Sequence, residues 1–137
     1  MESSVLKMMF DQILDGRDIP VVGSMLRMTA KRASECKAGM PYALTDNLWH
    51  VVYWQELWLE ELRGGKPPPM MQVWSGDWKE TEEHQFGELR EKFLEGLQEA
   101  RLFCKGELSS EQAEILLRIG IHAAYHIGQL NLIKRAS

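Results

Sequence analysis

The chain has 137 residues, of which 45% are hydrophobic and 26% are charged, with a net charge of −4. This length and composition predict one globular domain over residues 1–137. No basic stripe is present to neutralise phosphates, so we expect no nucleic-acid partner. No stretch approaches the roughly 18 apolar residues of a membrane span, and the first residues do not resemble a signal peptide. Cys36 and Cys104 are isolated in sequence, which favours reduced thiols in the cytoplasm over a disulfide.

Two helical segments are predicted before residue 40. The first covers about residues 3–14 and is closed by Gly16. A shorter helical piece follows within residues 20–39, where Pro20 suits a first turn. The apolar residues that we expect the first helix to turn toward the core are Val5, Met9 and Ile13.

Three longer helices are predicted at about 45–62, 81–104 and 110–134. The last begins with a capping box, in which Ser109 stands three residues before Gln112. Apolar residues recur at spacings of three or four, so each helix has a face suited to a core. The predicted core residues of the first two of these helices are Leu48, Val51, Val52, Leu59, Leu62, Phe86, Leu89, Phe93, Leu97, Ala100 and Cys104.

Four main helices without strand signals predict an all-α domain with the architecture of a four-helix bundle. The connection over residues 64–80 can stretch about 55 Å at roughly 3.3 Å per residue. A helix of about 18 residues is only about 27 Å long. We therefore expect this connection to cross the length of the bundle and leave the second and third main helices parallel. The short connection near residues 105–109 makes the third and fourth antiparallel, which gives an up-down-down-up order.

Three histidines are the main functional signal. His122 and His126 are four residues apart on what is otherwise the core seam of the last helix, so their imidazoles can converge. The second and fourth helices are antiparallel in the predicted order, and His50 then lies at a similar height to His126. Buried polar groups without partners are costly, and neutral imidazole is the commonest metal ligand. The predicted seam is Ile115, Ile119, His122, His126, Gln129 and Ile133.

The sequence therefore predicts a divalent metal site with the ligands His50, His122 and His126 and an open fourth position. Zinc, nickel, iron and copper all suit imidazole ligands. The alternative is that each histidine is a satisfied core residue. His84 has no partner at helical spacing, so we interpret it as a solvated residue.

Other residues are candidates for the surroundings of the metal. Gln129 shares the face of His122 and His126 and could hydrogen-bond a ligand's second ring nitrogen or a metal-bound water; the alternative is a boundary residue that reaches solvent. Aromatic and acidic side chains near His50 and in the connection over residues 64–80 (the crossover) could line a pocket. Alternatively, they only pack in the core and anchor the crossover. These pocket candidates are Tyr53, Trp54, Trp74, Asp77 and Trp78.

Three segments carry a family resemblance. The stretch "HAAYHIGQL" (122–130) resembles the last-helix signature of the DinB/YfiT-like superfamily, in which two histidines four apart precede a Gly-Gln pair. The segment "LTDNLWHVVYWQELWLEELRGG" (44–65) is similar to that family's second helix, and "WSGDWKE" (74–80) resembles its crossover. The resemblance covers most of the chain.

The resemblance implies a four-helix bundle with a long crossover and a three-histidine divalent metal site, to which His50, His122 and His126 correspond. Family members with known activity include thiol-dependent S-transferases that use bacillithiol, mycothiol or glutathione, and other metal-dependent enzymes. One departure is visible at Ala123, where members often have an acidic residue. A carboxylate that orients a ligand or accepts a proton is then missing.

Two functions are compatible with these patterns. In the first, the protein is an enzyme whose zinc, nickel or iron ion activates a thiol or water against a small-molecule substrate. No Ser-His-Asp arrangement or nucleophile elbow offers another catalytic apparatus, and no catalytic side chain can be assigned. In the second, the protein is a stress-response protein that binds a metal or ligand without turnover. A purely structural adaptor would leave three buried imidazoles unexplained. A homodimer is compatible with the helix faces.

Overall fold

The computed structural model describes residues 2–136, and within that range it is all-α without a β-strand. Seven α-helices and one 3₁₀ turn at Glu83–Gln85 make up this part of the chain. The helices are α1 (Glu2–Asp15), α2 (Val22–Met25), α3 (Ala30–Ser34), α4 (Leu44–Leu62), α5 (Met70–Ser75), α6 (Phe86–Phe103) and α7 (Ser110–Arg135).

The four long helices agree with the prediction within a few residues. α7 begins with the expected capping box, because the Ser109 hydroxyl accepts a hydrogen bond from the Gln112 backbone N–H at 3.1 Å. α4 ends before Gly64, whose φ of +97° is a conformation that favours glycine. α6 begins five residues later than expected.

The structure changes two expectations about the shorter segments. The helical piece expected within 20–39 consists of two separate helices, α2 and α3. The connection over 64–80 contains α5, which was not predicted. α5 has only six residues and directly follows three consecutive prolines, and prolines hide the periodicity of so short a helix.

Of the residues that were predicted to face the core from α1, Ile13 is buried, whereas the register was wrong at Val5. Val5 is 62% exposed, and Met9 is only partly buried. The buried residues follow a seam that begins one position later and repeats after four, three and one residues, which is the pattern of a helix face. They are Leu6, Phe10, Ile13 and Leu14.

The long helices meet around one apolar core. α4 packs against α6 and α7, and α1 packs against the same two helices. Every core residue predicted for α4 and α6 is buried. In α7 the buried residues include Ile119, His126 and Ile133 of the predicted seam, together with positions beside it. These neighbouring buried positions are Leu116, Ala123, Ile127 and Leu130.

Side chains of α4 hold the second half of the crossover against the helix. The Tyr53 hydroxyl donates to the Val73 carbonyl at 2.7 Å, and the Trp49 indole N–H donates to the Gly76 carbonyl at 3.0 Å. A Cβ at Gly76 would lie 2.7 Å from the Tyr53 ring, so this close approach requires glycine. Residues 73–77 of this connection therefore lie along α4 beside His50.

The end of the crossover is fixed by a carboxylate in the first turn of α4. Asp46 accepts hydrogen bonds from the backbone N–H and the hydroxyl of Thr81, both at 2.8 Å. The same carboxylate accepts from the Ala43 N–H at 3.0 Å. Because Thr81 is tied to Asp46, it precedes α6 rather than beginning it.

Candidate metal centre

The structure brings His50, His122 and His126 together. One ring nitrogen of each lies within 4.8 Å of one from each of the others. The ring centroid of His50 lies 5.4 Å from that of His122 and 4.6 Å from that of His126. A tetrahedral ion with metal–nitrogen bonds of about 2.0–2.1 Å would hold the nitrogens about 3.3 Å apart. The three residues are thus close enough together that they could hold a metal ion.

His50 is oriented from the crossover. Its Nδ1 lies 2.8 Å from Oδ1 of Asp77 and 3.2 Å from the Asp77 backbone carbonyl. Both are acceptors, so Nδ1 carries a hydrogen that it donates toward Asp77. The Trp54 indole N–H also donates to the Asp77 carboxylate. A carboxylate that fixes the tautomer of a histidine is a frequent feature of metal sites.

His126 is oriented from α4. Its Nδ1–H donates to Oδ1 of Asn47 at 2.9 Å, and the Asn47 amide donates to Oε1 of Gln129 at 3.0 Å. Gln129 therefore reaches His126 through Asn47. The sequence reasoning missed Asn47, although it stands one helical turn before His50 on the same helix. That spacing was the signal that could have identified it.

His122 is positioned by packing. Its ring meets the Trp58 ring edge to face, with the centroids 5.1 Å apart. No hydrogen-bond partner for its ring is found among residues 2–136. Trp58 thus limits where the His122 ring can turn, while neither ring nitrogen is tied to another side chain.

The electrostatics of the centre keep the imidazoles of His122 and His126 neutral. Burial, assisted by the nearby His126 and His50, lowers the pKa of His122 from 6.5 to about 3. Burial and His50 likewise lower the pKa of His126 to about 4, against the opposing effects of Gln129 and Asp77. Neutral imidazole is the form that binds metals. These two ligands are therefore ready to coordinate at neutral pH without first losing a proton.

The predicted pocket residues occupy different places. Trp78 stacks on His50 with the ring centroids 4.2 Å apart, and it also meets the Tyr42 ring at 4.6 Å. Trp54 reaches Asp77, as described above. Tyr53 is bonded to the crossover backbone, and Trp74 is 62% exposed.

Ala123 is only 1% exposed and contributes to the apolar core. A carboxylate at this position would face that core. In this chain the carboxylate beside the histidines comes from Asp77 on the crossover instead. His84 is exposed, as expected.

Comparison of the chain with family models, with curated proteins and with solved structures finds no match in any of the three. No helix of the described part of the chain is long and apolar enough to cross a membrane. The arguments about function therefore depend on the geometry of the site itself.

Proposed function

We propose that this protein binds one divalent ion, zinc, nickel or iron, through His50, His122 and His126 and acts as a metal-dependent enzyme. The observation that carries the proposal is the convergence of three imidazoles, two of which have the other ring nitrogen occupied by Asp77 and Asn47. The second ring nitrogens of His50 and His126, together with His122, are available to one shared ligand. A reaction of the S-transferase or hydrolase type on a small molecule fits this site best.

The chemistry that such an ion supplies when bound is a lower pKa for a thiol or water at the position that three histidines leave open. The chain's own residues would do the rest. Asp77 and Asn47 hold His50 and His126 in the ligating tautomer. Trp78 and Trp58 cover the rings of His50 and His122 and keep water from their faces. A low-molecular-weight thiol is the co-substrate that we propose.

The architecture proposed with this function is a four-helix bundle of the DinB/YfiT type with an up-down-down-up order. Contacts between α4 and α6 support a parallel pair, because Gln55 meets Phe93 and, further along both helices, Arg63 meets Glu99. Contacts between α4 and α7 support an antiparallel pair. Asn47 meets Gln129, whereas Trp58 meets the earlier residue His122.

One observation favours a second candidate function, a metal- or ligand-binding stress-response protein without turnover. Asp77 is the carboxylate beside the histidines, and it is already engaged by His50 and by the Trp54 indole N–H. A general base would need a carboxylate that is available to the substrate. Within residues 2–136, no second acidic side chain forms an ion pair with any of the three histidines.

The experiment that separates the two functions offers an electrophile to the metal-loaded protein together with several low-molecular-weight thiols, one at a time. If the protein is an enzyme, one of the thiols is consumed faster than in a reaction without the protein, and a conjugate of the thiol and the electrophile accumulates. His126→Ala should lose this rate, and His84→Ala should keep it. If the metal-loaded protein accelerates neither a thiol reaction nor a hydrolysis, the enzyme function is refuted, and the binding protein without turnover remains.

A further inference from the structure

A cavity lies beside the metal centre, between α4, residues 67–73 and the Arg118 side chain of α7. Its volume is about 370 Å³, which is within the usual range for small-molecule sites. The rings of Trp54 and Trp58 form one wall, with their centroids 5.7 Å apart. Leu57, Pro68 and the buried Val73 provide further apolar lining. The three histidines are not among its lining residues, so this space is distinct from the ion site.

Two charged side chains stand among this apolar lining, Glu61 from α4 and Arg118 from α7. Trp58 of α4 contacts His122 of α7. Glu61 lies one helical turn after Trp58, and Arg118 lies one helical turn before His122. They are therefore at a similar height, yet no ion pair joins them. A gap between an acid and a base at the edge of an apolar cavity is a place for a ligand with both charges.

Arg118 and Glu61 differ in the partners that they already have. Arg118 donates through Nη2 to Glu114 at 2.7 Å, and a guanidinium has five N–H donors, so further donors remain for a carboxylate. The Glu61 carboxylate has no ion-pair or hydrogen-bond partner within residues 2–136. A ligand with an ammonium group would supply one.

We propose that this cavity binds a small zwitterion with a large apolar group, such as an α-amino acid with an aromatic side chain. The carboxylate pairs with Arg118, the ammonium group pairs with Glu61, and the apolar group packs on Trp54 and Trp58. Charge-assisted hydrogen bonds of this kind are stronger than neutral ones, and an aromatic ring stacks favourably on indole. A ligand with only one of the two charges would leave the other residue unpaired.

Both tryptophans of the cavity also touch the metal centre. Trp58 meets His122, and Trp54 donates to the carboxylate that orients His50. The same proposal makes this cavity the substrate pocket of the metal centre, and that part of it rests on the proposed function above. Binding of the zwitterion does not depend on it, because the lining contains no metal ligand.

The test uses three probes with the same ring: L-phenylalanine, phenylalaninamide, which lacks the carboxylate, and N-acetyl-phenylalanine, which lacks the ammonium group. Binding is measured by calorimetry and by the change in tryptophan fluorescence. We expect saturable binding of L-phenylalanine and binding about tenfold weaker for each of the other two, from the usual strength of a charged hydrogen bond. Equal binding of all three probes, or no saturable binding, would overturn the proposal.

Variants assign each charge to its partner. Arg118→Gln should weaken L-phenylalanine about tenfold and leave phenylalaninamide unchanged. Glu61→Gln should weaken L-phenylalanine similarly and leave N-acetyl-phenylalanine unchanged. If both variants bind all three probes as the wild type does, the ligand does not lie between these residues.

A matched pair of methionines on α5 tests the apolar part. Met70 lines the cavity, whereas Met71 is 83% exposed and does not line it. Met70→Ser should weaken L-phenylalanine about fivefold, from the loss of about half of a methionine's burial, and Met71→Ser should have no effect. Equal effects of the two changes would contradict the assigned position.

The same titration in metal-loaded and chelator-treated protein separates this proposal from the proposed function. We expect L-phenylalanine to bind in both forms. Protein that binds metal but not L-phenylalanine refutes the cavity proposal alone. Protein that binds L-phenylalanine but no metal refutes the metal-dependent function alone.

Discussion

The two sides of α4 are built from different kinds of side chain. The side toward α6 is closely packed. Its polar residue Gln55 bonds to the backbone of α6, because the Gln55 amide donates to the Phe93 carbonyl at 3.2 Å. The side toward α7 and the crossover carries Asn47, His50 and Trp54, which hold other side chains in place. One helix thus separates the residues that stabilise the fold from those that build the site. Changes on the two sides should therefore have different consequences.

The largest effect on stability is expected on the α6 side, at Gly96. A Cβ there would lie 2.1 Å from Nε2 of Gln55, so Gly96→Ala would push this amide off the Phe93 carbonyl inside the core. The loss of a buried hydrogen bond costs about 1–3 kcal/mol, which chemical denaturation can measure. The metal affinity of the folded protein should not change.

Gly87 is the matched control for this change, because it lies in the same helix and a Cβ there would meet nothing within 4 Å. Gly87→Ala should be neutral or stabilise the protein by up to about 1 kcal/mol. A Gly96→Ala protein as stable as the Gly87→Ala protein would show that the α6 side is less closely packed than the structure indicates.

On the other side of α4, Asp77→Leu should act on metal binding more than on stability. Asp77 is partly exposed and orients His50, and the loss of such an orienting partner typically weakens metal affinity about 10–100-fold. Competition with a coloured chelator measures this. Glu80→Gln, an exposed acid of the same segment, is the control and should retain the wild-type affinity. Equal affinities for both variants would show that Asp77 only anchors the crossover.

A smaller effect is expected at Gln129, because the acceptor of the His126 Nδ1–H is Asn47, and Gln129 in turn accepts from the Asn47 amide. Gln129→Leu should fold normally and bind metal less than about tenfold more weakly, since it is one step further away than the partners that cause about 10–100-fold changes. Asn47→Leu should have the larger effect of the two. If Gln129→Leu leaves metal affinity unchanged while Asn47→Leu lowers it, the residues that orient His126 end at Asn47.

The sequence predicted the all-α class and the four long helices because their apolar residues recur over many turns. It also predicted that the three histidines meet, from the spacing on α7 and the length of the crossover. The register of α1 was predicted correctly only at Ile13, because Val5 and Met9 fit the same helical period and only packing distinguishes them from Leu6 and Phe10. Both seams are apolar in the sequence.

Other features depend on tertiary contacts that periodicity does not report. Asn47 and Asp77 come from different segments, and each becomes a partner of a histidine only when the crossover and α7 lie against α4. The short helix α5 follows three prolines and is held by the hydrogen bond between Tyr53 and Val73. Neither arrangement leaves a repeating pattern in the sequence.

The most direct test of the central claim is the metal content of the purified protein, together with its thermal stability before and after zinc or nickel is added. We expect about one divalent ion per chain in the wild type and in His84→Ala, and severe loss in His122→Ala and His126→Ala. Binding to the folded state alone adds about 2.7 kcal/mol when the free ion is at 100 times its Kd, so the melting temperature should rise. A wild-type protein without metal whose melting temperature does not change on adding either ion would contradict the claim.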